Sequence, residues 1–86
     1  MNRLEKLRRR IANSPKNVRF ADLDNLLQSY GFEGRPGKGS HYYYRRGSQR
    51  IVVPFRRPYV LPIYVRLALK AIARAELEDN ESGHSE

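Results

Sequence analysis

The sequence predicts a single α+β domain, two helices followed by three antiparallel strands and a last helix. Three observations predict it: apolar residues recur at helical spacing over 3–12, 21–30 and 63–75; the pattern turns to β-rich runs between 32 and 55; and glycine and proline punctuate that middle region. At 86 residues the chain is long enough for one two-layer core and too short for a second. A hydrophobic fraction of 40% and nine aromatic residues, six Tyr and three Phe, set it apart from a disordered basic arm.

The first helix is expected over 3–12, "RLEKLRRRIA", with Leu4, Leu7, Arg8 and Ile11 on one face, Arg3, Lys6, Arg9 and Arg10 around the rest, and Asn2 as N-cap. Pro15 ends it by restricting Ser14. The second, about 21–30, places Phe20, Leu23, Leu26, Leu27 and Tyr30 on one stripe, with Asp22 and Asp24 in its first turn and Gly31 at the left-handed position that closes a helix. "FEGR" (32–35), "SHYYYRR" (40–46) and "RIVVPF" (50–55) then read as strands joined by "PGKG" and "GSQ", a three-stranded antiparallel meander. Two prolines make 56–62 irregular. In 63–75, "IYVRLALKAIARA", the apolar face is expected from Ile63, Tyr64, Leu67, Ala68, Ala71, Ile72 and Ala75, opposite a basic ridge of Arg66, Lys70 and Arg74. One sheet face must lie under the helices to make a core, which leaves the other available to a ligand. From Asp22 onward the order is α-β-β-β-α, the order of double-stranded-RNA-binding domains.

Charge is segregated. All 17 Lys and Arg lie in residues 1–75 beside four acids, a balance of +13, while 76–86 hold the other five acids and no base, −5, for a net +8. The domain is therefore read as 1–75 (helix 3–12, core 17–75), followed by an acidic tail, 76–86, expected to be disordered. A body this basic favours a polyanion through counterion release, nucleic acid being the commonest, although an acidic protein would satisfy the same field. With no cysteine there is neither a disulfide framework nor a thiolate zinc site. No apolar segment has signal-peptide or membrane-spanning character, so a soluble, cytoplasmic protein without membrane contact is expected.

The segment "RPGKGSHYYYRR" (35–46) concentrates the chemistry. Glycines at 34, 37 and 39 around Arg35 and Lys38 would allow a phosphate close to the backbone between two cations. Strand alternation puts His41, Tyr43 and Arg45 on one face and Ser40, Tyr42 and Tyr44 on the other; burying the latter turns His41 outward. A lone outward histidine is most often an ordinary solvated residue. Here Arg35, Lys38 and Arg45 favour the neutral, proton-accepting imidazole. RNA cleavage by the internal 2′-hydroxyl needs such a base, an acid for the departing 5′-oxygen and cations for the phosphorane charge. The four acids of the basic body do not make a carboxylate metal cage, Ser40 beside His41 lacks an acidic orienter, and the phosphate-loop pattern is absent, so neither a metal nor a cofactor is expected. His84, in the acidic segment, is read as inert.

Residues "VRFADLDNLLQSYGF", "RPGKGSHYYY", "RIVVPF" and "YVRLALKAI", in that order over about 17–75, resemble the HicA toxin family of bacterial toxin–antitoxin modules. The resemblance implies a double-stranded-RNA-binding-like fold, metal-independent endoribonuclease activity on mRNA, and neutralisation by a HicB-like antitoxin covering the active face. It places the family's functional histidine on His41, flanked by Gly39 and Ser40. Where many relatives carry a second histidine after the third-strand V-P, this chain has Phe55, Arg56 and Arg57, and an arginine holds a phosphate but is a poor proton donor. The expected functional set is His41 as general base or acid; Arg35, Lys38, Gly39, Ser40, Arg45 and Arg56 around the phosphate; Tyr43 stacking a base; and Arg66 and Lys70 attracting RNA. A non-catalytic RNA-binding module using the same face, and a basic adaptor for an acidic protein, are the alternatives.

Overall fold

The computed structural model describes residues 1–83 and has the expected α+β architecture. Helix α1 (Arg3–Asn13), a short 3-10 turn (Pro15–Asn17) and helix α2 (Phe20–Ser29) precede strands β1 (Glu33–Pro36), β2 (His41–Arg46) and β3 (Gln49–Pro54), and helix α3 (Pro62–Gly83) closes the chain. The strands form one antiparallel sheet in the order β1-β2-β3.

Local chemistry explains the boundaries. At the start of α1 the Asn2 side chain accepts from the Glu5 N–H and the Glu5 carboxylate accepts from the Asn2 N–H, a reciprocal cap. Helix α2 closes on Gly31, φ +88°: the Gly31 N–H donates to the Gln28 carbonyl and the Phe32 N–H to that of Leu27, so Phe32 belongs to the helix stop and β1 starts one residue later than expected. Only Asp22 lies in the first turn of α2; Asp24 sits one turn on and serves the core. In the β2–β3 hairpin Arg46 pairs with Gln49, and Gly47, φ +56°, takes the first of the two turn positions, as a type II′ turn requires. Pro62 opens α3, where its missing N–H costs nothing.

The core lies between the helices and the inner face of the sheet. Leu23, Leu26 and Leu27 of α2, Val65, Ala68, Ala71, Ile72 and Ala75 of α3, Tyr44 and Val53 of the sheet, and Ile11, Val18, Phe32 and Val60 are buried together. The Val60 N–H donates to the Val18 carbonyl, joining the segment after β3 to the one before α2. The apolar face of α3 is rotated from the expected one: Val65 is buried and Leu69 packs against the core, whereas Ile63 and Leu67 are exposed. The three core alanines let the helix backbone come close to its neighbours, and that docking sets the rotation. Tyr44 anchors the sheet to α2, its hydroxyl donating to Asp24 Oδ1 at 2.7 Å. Burial, and then this hydrogen bond, raise the Tyr44 hydroxyl above its ordinary range, so it remains a donor.

The acidic segment is a correction. Residues 76–83 continue α3 rather than forming a disordered tail; 84–86, with His84, lie outside the described residues. Glu76 pairs with Arg8 of α1 at 3.0 Å, Asp79 with Arg46, and Glu78 accepts from Ser48 and Gln49 of the hairpin. The hydrogen bond to Glu76 raises the Arg8 pKa, and Arg8 also lies 5.0 Å over the Tyr30 ring. Hydrogen bonds from Ser48 and Gln49 hold the Glu78 carboxyl below the ordinary glutamate range. A depressed acid stabilises the fold above its unfolded pKa and loses that contribution as pH falls through its folded one. Truncation after Ala75 is therefore expected to lower the urea midpoint near neutrality, by a margin that narrows once the pH drops below the glutamate range. Equal midpoints for the two chains at pH 7 would show that these contacts stabilise nothing.

Candidate functional site

Direct pairing in an antiparallel sheet puts opposed residues on the same face, so register defines the outer surface. Three rows result: Glu33–Arg45–Arg50, Arg35–Tyr43–Val52, and His41–Pro54 at the end next to the β1–β2 loop. His41, Tyr43 and Arg45 are exposed while Tyr42 and Tyr44 turn inward, as alternation predicts.

His41 is oriented by the backbone. The Lys38 carbonyl accepts the His41 N–H at 3.2 Å and lies 3.1 Å from His41 Nδ1. A carbonyl can only accept, so Nδ1 carries hydrogen, and in the neutral ring Nε2 keeps the free lone pair. The loop is closed by the Gly37 N–H donating to the His41 carbonyl at 2.8 Å and is tied to the end of β3 by the Phe55 N–H donating to Ser40 at 2.6 Å. Ser40 and Phe55 thus lie just outside the strands to which the sequence assigned them. That contact carries Arg56 to the histidine end of the sheet, where its guanidinium donates to the Tyr59 carbonyl at 3.2 Å.

The glycines act differently from expectation. A Cβ at Gly34 would fall 2.6 Å from the Tyr44 ring, and one at Gly37 would fall 1.8 Å from Tyr43 Cε2, so the space at both is filled by the protein's own tyrosines rather than left for a phosphate. Only Gly39, φ +60°, is unobstructed, and it is needed for its backbone angle. Seated against Gly37 and 44% exposed, Tyr43 stands in a shallow trough of about 900 Å³ that Arg35, Arg45, Arg50, Glu33 and Val52 also line. Arg45 pairs with Glu33 at 3.6 Å, while Arg35, Lys38 and Arg50 make no ion pair among the described residues.

The structure thus gathers Arg35, Lys38, Gly39, Ser40, His41, Tyr43 and Arg45 on the outer sheet face and its adjoining loop, with Arg56 at the same end. Arg66 and Lys70 are not part of that group: they are exposed on α3, in the helical layer. Arg50 and Val52 are the residues that sequence reading passed over. The signal was present, because a two-residue turn at 47–48 pairs Arg46 with Gln49 and thereby sets Arg50 beside Arg45 and Val52 beside Tyr43. Among the described residues no three His, Asp or Glu side chains gather as metal ligands, and no helix is long and apolar enough to cross a membrane. In comparisons with known proteins, no family model, no curated protein and no solved structure matches this chain.

The seat of Tyr43 can be tested without a ligand. Gly37→Ala cannot keep the ring where it is, and because the ring is exposed it can turn away at a stability cost below about 1 kcal/mol. Expected are altered Tyr43 ring resonances with an almost unchanged melting temperature; unchanged ring shifts would show that Tyr43 does not rest on Gly37.

Proposed function

We propose that this protein is an endoribonuclease of the HicA type, the toxin of a toxin–antitoxin module, with His41 as the catalytic residue on the outer sheet face. One observation supports this reading above the others: the Lys38 carbonyl takes Nδ1–H and leaves Nε2 as an exposed base beside a cationic loop. In the proposed reaction Nε2 accepts the proton of a 2′-hydroxyl. The 2′-oxygen bonds to the adjacent phosphorus as the bond from phosphorus to the 5′-oxygen breaks, giving a 2′,3′-cyclic phosphate and, as that oxygen takes a proton from water, a 5′-hydroxyl; the imidazolium then returns its proton to solvent. Lys38, Arg35 and Arg56 offset the charge that grows on the phosphoryl oxygens, and their help is greatest in the transition state. Tyr43 offers an aromatic face to one unpaired base, a contact worth about 1–3 kcal/mol and tolerant of sequence. Arg45, held by Glu33, and Arg50 add phosphate contacts further along the strand. mRNA is the proposed substrate and a HicB-like antitoxin covering the His41 face the proposed partner.

The trough around Tyr43 also favours a second reading, a non-catalytic RNA-binding module, since stacking between arginines needs no proton transfer. His41→Ala decides between them. On the first reading it abolishes cleavage of a single-stranded RNA while affinity changes less than about threefold, because an exposed strand residue contributes little to the fold. Wild-type binding without any cleavage would establish the binding module instead. Cleavage is further expected to persist in EDTA and to leave 2′,3′-cyclic phosphate ends. Activity lost to the chelator and restored by Mg²⁺ would overturn the internal-hydroxyl mechanism.

A further inference from the structure

Helix α3 bears a second surface that the sheet-side reading does not use. Ile63, Leu67, Lys70, Arg74 and Leu77 follow one another at spacings of four, three, four and three residues, the repeat by which one helix lays a row of side chains against another. The row runs for about 21 Å along the helix. Its aliphatic members are in water rather than in the core: Ile63 is 54% exposed, Leu67 44% and Leu77 60%. Lys70 and Arg74 occupy the middle, Arg66 flanks them, and none of the three makes an ion pair among the described residues. The acids on either side of Leu77 are directed to their own chain, Glu76 to Arg8 and Glu78 to the hairpin. The row is therefore aliphatic at both ends and cationic at its centre.

That pattern selects its occupant. In a second copy of this chain, parallel pairing sets Lys70 against Lys70 and Arg74 against Arg74, and antiparallel pairing centred on Lys70 again opposes two lysines, so the charges work against self-association. An RNA backbone would neutralise the cations but leave the three aliphatic side chains in water. A helix with apolar residues at the same spacing and carboxylates at its centre satisfies both. We propose that the outer face of α3 docks an acidic amphipathic helix of a partner protein, with Ile63, Leu67 and Leu77 as apolar contacts and Lys70 and Arg74 setting register and charge preference. The proposal does not depend on the endoribonuclease reading, and it leaves the sheet face open.

The test uses the full chain and a fluorescein-labelled peptide of about 18 residues, long enough to span the row. Its leucines follow the four–three spacing, and glutamate occupies the two positions meant to face Lys70 and Arg74; matched peptides carry glutamine or lysine there. Fluorescence anisotropy is expected to show the glutamate peptide binding roughly tenfold more tightly than the glutamine one and the lysine peptide not binding. Leu67→Asp and, separately, Ile63→Ser should each weaken binding at least about tenfold with unchanged circular dichroism, both side chains being exposed. The double change Lys70→Glu, Arg74→Glu should reverse the preference in favour of the lysine peptide. Equal binding of the three peptides, or full binding by Leu67→Asp, would overturn the proposal. So would a concentration-dependent dimer that Leu67→Asp dissolves, which would assign the face to a second copy, or RNA binding lost in Leu67→Asp without any peptide binding, which would assign it to nucleic acid.

Discussion

The arrangement of this domain turns on Tyr44. Its ring is buried over the bare backbone of Gly34, where no side chain could stand, and its hydroxyl reaches Asp24 on α2. The sheet is thereby held to the helical layer at a particular register. A slip of one residue along β2 would bury His41, Tyr43 and Arg45 and turn the other tyrosines into water. The chemistry proposed for the outer face thus depends on a phenol buried on the inner one, and Asp24 has a structural use that its place on a helix surface conceals.

From that register the outer face follows row by row. The hairpin turn at Gly47 and Ser48 aligns β3 with β2, bringing Arg50 and Val52 into line with Arg45 and Tyr43. At the other end of β2 the loop bends back through Gly39 so that a single carbonyl meets both the amide and the ring of His41. One edge of the surface therefore carries the oriented imidazole and the middle carries the exposed ring of Tyr43, with cations distributed along both. The basic residues of α3, Arg66, Lys70 and Arg74, are exposed on the side of that helix turned away from the core, and there they stand among aliphatic side chains rather than beside the histidine.

Much of this was legible in the chain itself. Asn2 as a cap, Gly31 as a helix stop and the inward–outward alternation of Tyr42, Tyr43 and Tyr44 are local rules, and local rules can be read from neighbours in sequence. Other features depend on partners distant in sequence. Neither the filling of Gly34 and Gly37 by tyrosine rings nor the rotation that exposes Ile63 and Leu67 could be read without the packed sheet and helices. The last turns of α3 are the clearest case. Acids near a helix C-terminus oppose the macrodipole, so residues 76–83 look like a poor helix in isolation. They are helical because Arg8, Arg46 and Ser48 receive Glu76, Asp79 and Glu78, and those partners come from α1 and the hairpin.

The contact between His41 and residue 38 is made by a main-chain oxygen, and the identity of the side chain at 38 does not enter into it. Proton-bearing histidines are often oriented by a neighbouring carboxylate, which adds negative charge and can be lost by a single substitution. A peptide carbonyl brings no net charge to the surface, and no change of the side chain at 38 deletes it. Orientation of the imidazole is in this way separated from the electrostatics of its surroundings: the lysine at 38 can be exchanged to retune attraction for an anion while the ring keeps its tautomer. What the ring cannot tolerate is a different path of the backbone through Gly39, so on this surface the orientation of the imidazole is encoded in a turn rather than in a partner residue.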